Sequence, residues 1–343
     1  MSEQTTTGTH PASDAPAKVS LLRRTLSGSV GRNLGLVLAL VVIVIGGAIT
    51  AGDTFLTWSN TLTILRQASI IGVISVGTTF VIIAGGIDLS VGSVMGLASV
   101  VATLDAVQQT AASSHWIVMV VFALAVGAAA GLVNGIVIAY GQVVAFMATL
   151  AMLVAARGLA EILAEKRTLV IEDRGFVTFF NADFLGVDIL IWIFALVAVI
   201  GWILLNRTTF GRRTIAIGGN PEASRLAGIN VRRHTTWLYV IGGLTAGIAA
   251  VMILGRTTAG TSTHGTLYEL DAIAAVVVGG TLLVGGRGTI TGTVLGVLIF
   301  ATLSNVFVQN NLSSSVQAVA KGVIIVVAVL LQQRFARTSH RRT

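Results

Sequence analysis

From Leu34 to Ala51 the chain is a continuous run of apolar and small residues, and runs of similar length recur almost to its end. At roughly 20 apolar residues per crossing, this pattern predicts spans near 34–52, 61–84, 91–107, 116–140, 143–164, 189–205, 235–255, 270–286, 289–307 and 315–332. The expected fold is therefore an all-α polytopic membrane protein of about ten transmembrane helices. A membrane β-barrel would instead show short segments alternating between polar and apolar positions. The second and third spans, and the eighth and ninth, are separated by very short glycine-containing turns, so broken or re-entrant segments are expected there.

Three regions follow. Residues 1–33 form a polar, Thr/Ser/Ala/Gly-rich tail expected to be disordered. Residues 34–333 form the membrane domain, interrupted by a polar loop at 206–233, and residues 334–343 form a basic tail. The first apolar run is too long for a signal-peptide core and lacks a clear small-residue cleavage site, so it reads as a retained span.

Composition supports the membrane assignment. The hydrophobic set makes up 54% of the chain, charged residues only 10%, and mean hydropathy is +0.89; a soluble domain carries about a quarter charged residues. With 39 glycines and three prolines, the helices are expected to pack closely through small residues. The absence of cysteine excludes disulfides, thiolate metal sites and a cysteine nucleophile.

The net charge of +8 could indicate a nucleic-acid partner, but topology accounts for it. With the N-terminus inside, Lys18, Arg23, Arg24 and Arg32 are cytoplasmic, as are Arg207, Arg212, Arg213, Arg225, Arg232 and Arg233 in the loop. Arg287 and the tail residues Arg334, Arg337, Arg341 and Arg342 fall on the same side. An even number of spans with both termini cytoplasmic satisfies the positive-inside rule. No nucleic-acid partner is needed.

Two segments echo each other at an offset of 200 residues. Gly85-Gly86, Gly92, Val94 and Gly96 correspond to Gly285-Gly286, Gly292, Val294 and Gly296. Each follows a span running inward, which makes the copies parallel repeats; chance alignment of glycine-rich helices is the other reading. Gly127, Gly131 and Gly135 recur at every fourth position, and Gly243 pairs with Gly247, a spacing that lets two backbones approach along one face.

Few polar residues sit inside the apolar runs. Asp88, within Ala84-Gly-Gly-Ile-Asp-Leu-Ser-Val-Gly92, reads as a pathway residue or, more simply, as a helix N-cap beside Ser90. Asn134 and Asn305 read as interhelical hydrogen-bonding groups or as contacts to a polyhydroxylated solute. Arg157 and Glu161, at i and i+4, predict a mutual ion pair, and Lys321 is expected to be paired or to snorkel. The five histidines lack metal-ligand spacing. Gly280-Thr-Leu-Leu-Val-Gly285-Gly-Arg287 lacks the ending of a phosphate loop, so no ATP site or enzymatic centre is expected in this chain.

The loop is more informative. Gly218-Gly219-Asn220-Pro221 predicts a turn, and a short helix should follow from Glu222 to about Ala227. Asn220 would cap it, Pro221 would occupy its first position and Gly228 would stop it. Such a projecting helix reads as a docking element for a soluble partner or as a solvated connector.

Four stretches together resemble the permease subunits of ATP-binding-cassette importers for ribose, xylose, arabinose and galactose. They are Ala84-Gly-Gly-Ile-Asp-Leu-Ser-Val-Gly-Ser93, Asn134-Gly135, Ala216-Ile-Gly-Gly-Asn-Pro-Glu-Ala-Ser-Arg-Leu-Ala-Gly-Ile-Asn230 and Tyr268-Glu-Leu-Asp-Ala-Ile-Ala-Ala-Val-Val-Val-Gly-Gly-Thr281. The resemblance covers about 60–332. It implies a subunit of the bacterial cytoplasmic membrane that pairs with a second permease copy or a paralogue. It also implies an external solute-binding protein and a cytoplasmic ATPase that holds ATP and Mg²⁺, with no cofactor on this chain.

The same resemblance makes Gly218, Gly219, Asn220, Pro221, Glu222, Ala223, Arg225, Leu226 and Gly228 the coupling segment to that ATPase. Asp88, Ser90, Asn134, Phe146, Thr149 and Asn305 become pathway candidates for a monosaccharide. One departure stands out: Val144 and Ala145 occupy the place where this family usually has a proline-bearing bend. The rival readings are import of another small polar solute (a polyol, nucleoside, furanosyl signal or amino acid) and ion-coupled secondary transport.

Overall fold

The computed structural model describes residues 29–340. Helix α1 (Ser29–Ala51) runs into a 3-10 turn at Gly52–Thr54, and α2 (Trp58–Ile83) is capped by Thr57, whose side chain accepts from the Asn60 N–H. Then come α3 (Val91–Ala102), α4 (Asp105–Ser113), α5 (Ile117–Ala139), α6 (Ala145–Leu163), the short α7 (Arg174–Phe180) and α8 (Ile189–Arg207). Helices α9 (Thr209–Gly219) and α10 (Pro221–Leu226) form the polar loop, and α11 (Val231–Thr257), α12 (Tyr268–Val278), α13 (Ile290–Gln309) and α14 (Ser314–His340) complete the bundle.

The described residues contain seven helices long and apolar enough to cross a membrane, or eight when α3 and α4, bent by 56°, count as one span. The expected count of about ten is not reached on length and composition. The span expected at 270–286 is instead α12, 11 residues long, followed by an irregular turn. It rises only about 16 Å, half the hydrocarbon thickness. Helix α1 begins at Ser29 and α14 continues to His340, so each enters a region expected to be tail. Residues 1–28 of the expected N-terminal tail lie outside the described residues.

Helices α2 and α3 form the centre. From Ala68 to Ile83 nearly every residue of α2 is buried, and α3 is buried almost throughout, as expected for helices apolar on all sides. Helices α5, α6 and α8 pack around them and α1 packs on α13; these four turn Leu38, Phe122, Val154 and Leu196 outward, a surface suited to lipid. The glycine spacing in α5 has a defined partner: α5 and α11 cross with Gly127 on Gly243 and Gly131 on Tyr239, an antiparallel contact between backbones.

Two small sheets order the end of the bundle reached by α6 and α11. β1 (Leu169–Val170) pairs antiparallel with β4 (Ala259–Gly260). β2 (Asp183–Phe184) pairs with β3 (Val187–Asp188) around Leu185 and Gly186, both at positive φ, as a two-residue hairpin turn requires. Asp188 caps α8 by accepting from the Leu190 N–H at 2.7 Å and is paired with Arg66 at 2.6 Å. Lys321 meets Asp271 at 3.1 Å between α14 and α12, so the expected pairing is present.

Candidate functional site

Helix α2 stops because the chain turns left-handed. Gly85 lies at φ +83°, its N–H bonds to Ile82 O at 2.9 Å, and Gly86 N–H bonds to Val81 O at 3.0 Å. These are the backbone reversals by which glycine terminates helices. Four residues separate Gly86 from the start of α3, and the buried Asp88 lies within them.

Asp88 Oδ1 accepts from both the Ser90 N–H at 2.8 Å and the Ser90 hydroxyl at 2.6 Å. The expected helix cap is therefore an Asx turn. Ser90 is the residue at the N-cap of α3, and its own side chain caps nothing. The difference arises because α3 begins at Val91, one residue beyond the reach of the Asp88 carboxylate.

Two predicted pathway candidates join this turn from other helices. Asn134 on α5 donates to the Ser90 hydroxyl at 2.9 Å, the interhelical bond expected of it. Thr149 on α6 donates to Ile87 O at 3.3 Å and to its own helix at Ala145 O. Asp88, Ser90, Asn134 and Thr149 thus form one buried polar cluster at the break. The other two candidates do not join it. Phe146 is 44% exposed on the outer side of α6. Asn305 exchanges two side-chain bonds with Asn60, at 2.8 and 3.1 Å, and Asn60 is about 35 Å along α2 from the break. Although Val144 and Ala145 lack proline, α6 starts cleanly after Val144 in an extended conformation.

Sequence reasoning missed Tyr239. It lies in a predicted span as one more bulky residue, and its only signal is rarity among three tyrosines. The residue is 2% exposed, and its buried hydroxyl has no hydrogen-bond partner among the described residues. A Cβ on Gly86 would lie 2.6 Å from that oxygen, and one on Gly242, a turn further along α11, would lie 3.7 Å from Asp88 Oδ2. An unpaired buried hydroxyl costs about 1–3 kcal/mol. Tyr239→Phe is therefore expected to leave detergent-unfolding stability unchanged or to raise it by up to that amount. A clear loss of stability would mean that the hydroxyl is bonded in the folded protein.

Arg157 also departs from expectation. Instead of pairing with Glu161, its guanidinium donates to the main-chain oxygens of Ser262 and, at 2.9 Å, His264. It thereby pins the α11–α12 connection to α6. The turn provides converging carbonyls, which a neighbour on the same helix cannot offer. His264 bonds Ser99 on α3 through Nδ1 at 3.1 Å. Burial, and then Arg157, push its imidazole down to about 4, so this bond does not titrate near neutral pH.

The polar loop folds largely as its sequence indicates. Helix α10 covers Pro221–Leu226, Asn220 Oδ1 accepts from the Ala223 N–H at 3.0 Å, Pro221 takes the first position and Gly228 at φ +82° ends the turn. Asn220 also closes α9 through its N–H to Ala216 O, so one residue joins the two helices. Glu222 and Arg225 pair at 2.6 Å on the exposed face, and Leu226 is 76% exposed. The hydrogen bond and charge of Arg225 hold the Glu222 carboxyl below its usual range. The pair is therefore complete at neutral pH and is lost only as pH falls through that lowered value.

A multi-pass helical bundle interrupted by glycine turns is an architecture in which membrane carriers place their transport path. The chain belongs to the family described as the permease component of branched-chain amino acid transport systems, whose profile matches residues 60–330. It is 40% identical over 304 residues to the ribose import permease protein RbsC of Escherichia coli (strain K12), covering 86% of this chain and 92% of that protein. It is 37% identical over 314 residues to the L-arabinose transport system permease protein AraH of the same organism (89% and 92% covered). To the galactose/methyl galactoside import permease protein MglC of Haemophilus influenzae it is 34% identical over 307 residues (85% and 91% covered). No solved structure matches the chain.

Proposed function

We propose that this chain is the membrane-spanning permease subunit of an ATP-driven importer that passes a monosaccharide, a pentose or hexose, across the bacterial cytoplasmic membrane. The observation that carries this reading is its relationship, over nearly the whole length, to import permeases named for ribose, arabinose and galactose. The chain works with a second permease copy or a paralogue, an external solute-binding protein and a cytoplasmic ATPase that holds ATP and Mg²⁺. It has no hydrolytic role of its own.

The structure suits this division of labour. In the orientation with the polar loop inside, α10 presents Glu222, Arg225 and Leu226 to the ATPase. The opposite end carries β1–β4, β2–β3 and the Arg157-pinned turn toward the binding protein. The buried cluster of Asp88, Ser90, Asn134 and Thr149 supplies the carboxylate, hydroxyl and amide groups that recognise sugar hydroxyls, and it borders the break where the bundle can open.

Reconstitution in liposomes with the cognate ATPase and binding protein tests the proposal directly. ATP-dependent uptake of radiolabelled ribose, arabinose or galactose is expected. Uptake of a branched-chain amino acid instead, or uptake driven by an ion gradient without ATP, would overturn it. In the same assay the double variant Glu222→Ala with Gly228→Asp is expected to insert normally and to lose at least tenfold in ATP-driven uptake. Undiminished uptake by that variant would remove α10 from the coupling path.

A further inference from the structure

Three glycine pairs far apart in sequence, Gly85-Gly86, Gly218-Gly219 and Gly285-Gly286, converge on one point of the bundle. Gly286 N–H donates to Ile83 O at 2.7 Å, so the turn after α12 is bonded to the last residue of α2. Gly218, near the end of α9, sits on that bond: a Cβ there would overlap Ile83 O and crowd Gly286 N. From the other side, a Cβ on Gly285 would lie 2.9 Å from both Gly218 O and Gly85 N, and one on Gly286 would lie 3.1 Å from Gly219 Cα. The 200-residue echo has a partial structural counterpart: Gly85 and Gly285 both lie at positive φ, +83° and +86°, and touch, although the helix-ending hydrogen bonds made at Gly85 recur after α12 at Gly280.

We infer that this junction is the coupling relay of the permease, and that Gly218 is the positioning residue through which displacement of α10 reaches both helix breaks at once. Three structural facts support it. Asn220 caps both α9 and α10, so movement of α10 passes to Gly218 without an intervening flexible segment. The contacts are made by main-chain atoms, which cannot yield by changing rotamer as side chains do. The Ile83–Gly286 bond makes the end of α2 and the α12–α13 turn respond together. The Tyr239 hydroxyl stands immediately behind Gly86, and Asp88 follows Gly86 by two residues, so the relay ends at the polar cluster. The inference rests on the transport reading above and deepens it.

Gly158 on α6 supplies a control outside the junction, because it has open space where a Cβ would be while Gly218 has none. In the reconstituted importer, Gly158→Ala is expected to keep uptake per ATP hydrolysed within twofold of wild type. Gly218→Ala is expected to insert and to bind the ATPase, yet to lose at least tenfold in that ratio. Gly285→Ala, which crowds the same contact from the opposite side, should behave like Gly218→Ala. A purely structural role would lower uptake and hydrolysis together through loss of folded complex and leave their ratio unchanged. An unchanged ratio in both variants would overturn the inference.

A second measurement does not depend on tolerance of a substitution at Gly218. Because the chain has no cysteine, a Gly219→Cys, Gly286→Cys pair can be oxidised without background and compared with its own reduced form. A junction that moves as one unit keeps its uptake per ATP when crosslinked. Loss of transport on oxidation, restored by reduction, would show that the two glycine turns separate during the cycle and would overturn the relay. Wild-type ATP-driven uptake, measured first, tests the transport reading separately.

Discussion

Replacing Gly243 with valine is expected to cost this protein a large share of its stability. A Cβ at Gly243 would overlap Gly127 O and lie within 3.0 Å of other α5 backbone atoms. Two further methyl groups would then have to force α5 and α11 apart. Overpacking of a soluble core costs typically 1–3 kcal/mol. Here the obstruction is a backbone on both sides and no rotamer relieves it, so a loss of at least about 3 kcal/mol is expected. Unfolding in mixed micelles, followed by tryptophan fluorescence, measures it. Gly158→Val is the matched control: Gly158 lies on α6 with nothing near its missing Cβ, and its stability should shift by no more than about 0.5 kcal/mol. Equal behaviour of the two variants would refute close backbone packing as the basis of the α5–α11 contact.

The second large effect is expected at Asp88. Its Oδ1 satisfies two donors of Ser90, and alanine would leave both in a buried site. At about 1–3 kcal/mol for each unsatisfied group, Asp88→Ala is expected to lose roughly 2–6 kcal/mol of stability and at least tenfold in uptake. Asparagine retains an oxygen that can accept the same bonds. Asp88→Asn is therefore expected to stay within about 1 kcal/mol of wild type and to transport at a reduced rate. If Asp88→Asn yields no folded protein, the negative charge itself is required and the hydrogen-bonding account fails.

Several features are legible in the amino-acid sequence. The apolar runs located the long helices because a spanning helix satisfies its backbone internally and needs an unbroken apolar surface. Asn220, Pro221 and Gly228 defined α10 almost to the residue, since capping, a fixed proline φ and a left-handed stop all act within one turn. Asn134 and Lys321 found the partners expected of buried polar groups because leaving them unpaired in an apolar bundle is costly.

Other features were not legible. Hydropathy cannot distinguish a full crossing from α12, because a half-helix and the irregular turn after it are equally apolar when both are buried in protein. Arg157 looked like half of an i, i+4 pair, yet its partners are carbonyls more than 100 positions away. That Phe146 turns outward, and that Asn305, in the interhelical bond expected of it with Asn60, lies far along the bundle from Asp88, follow from helix rotation and length rather than from residue type.

A helical membrane protein, the points where its helices cap and stop, and the glycines that must lie close to something all follow from the order of residues. These are local properties, set by hydration, backbone conformation and the absence of a side chain. What those glycines approach is set by the folded bundle: Gly127 meets Gly243, and Gly218 meets both Ile83 and Gly286. Contacts between main-chain atoms leave no side-chain signature, so the pairing of one glycine with another is fixed by how the whole bundle closes.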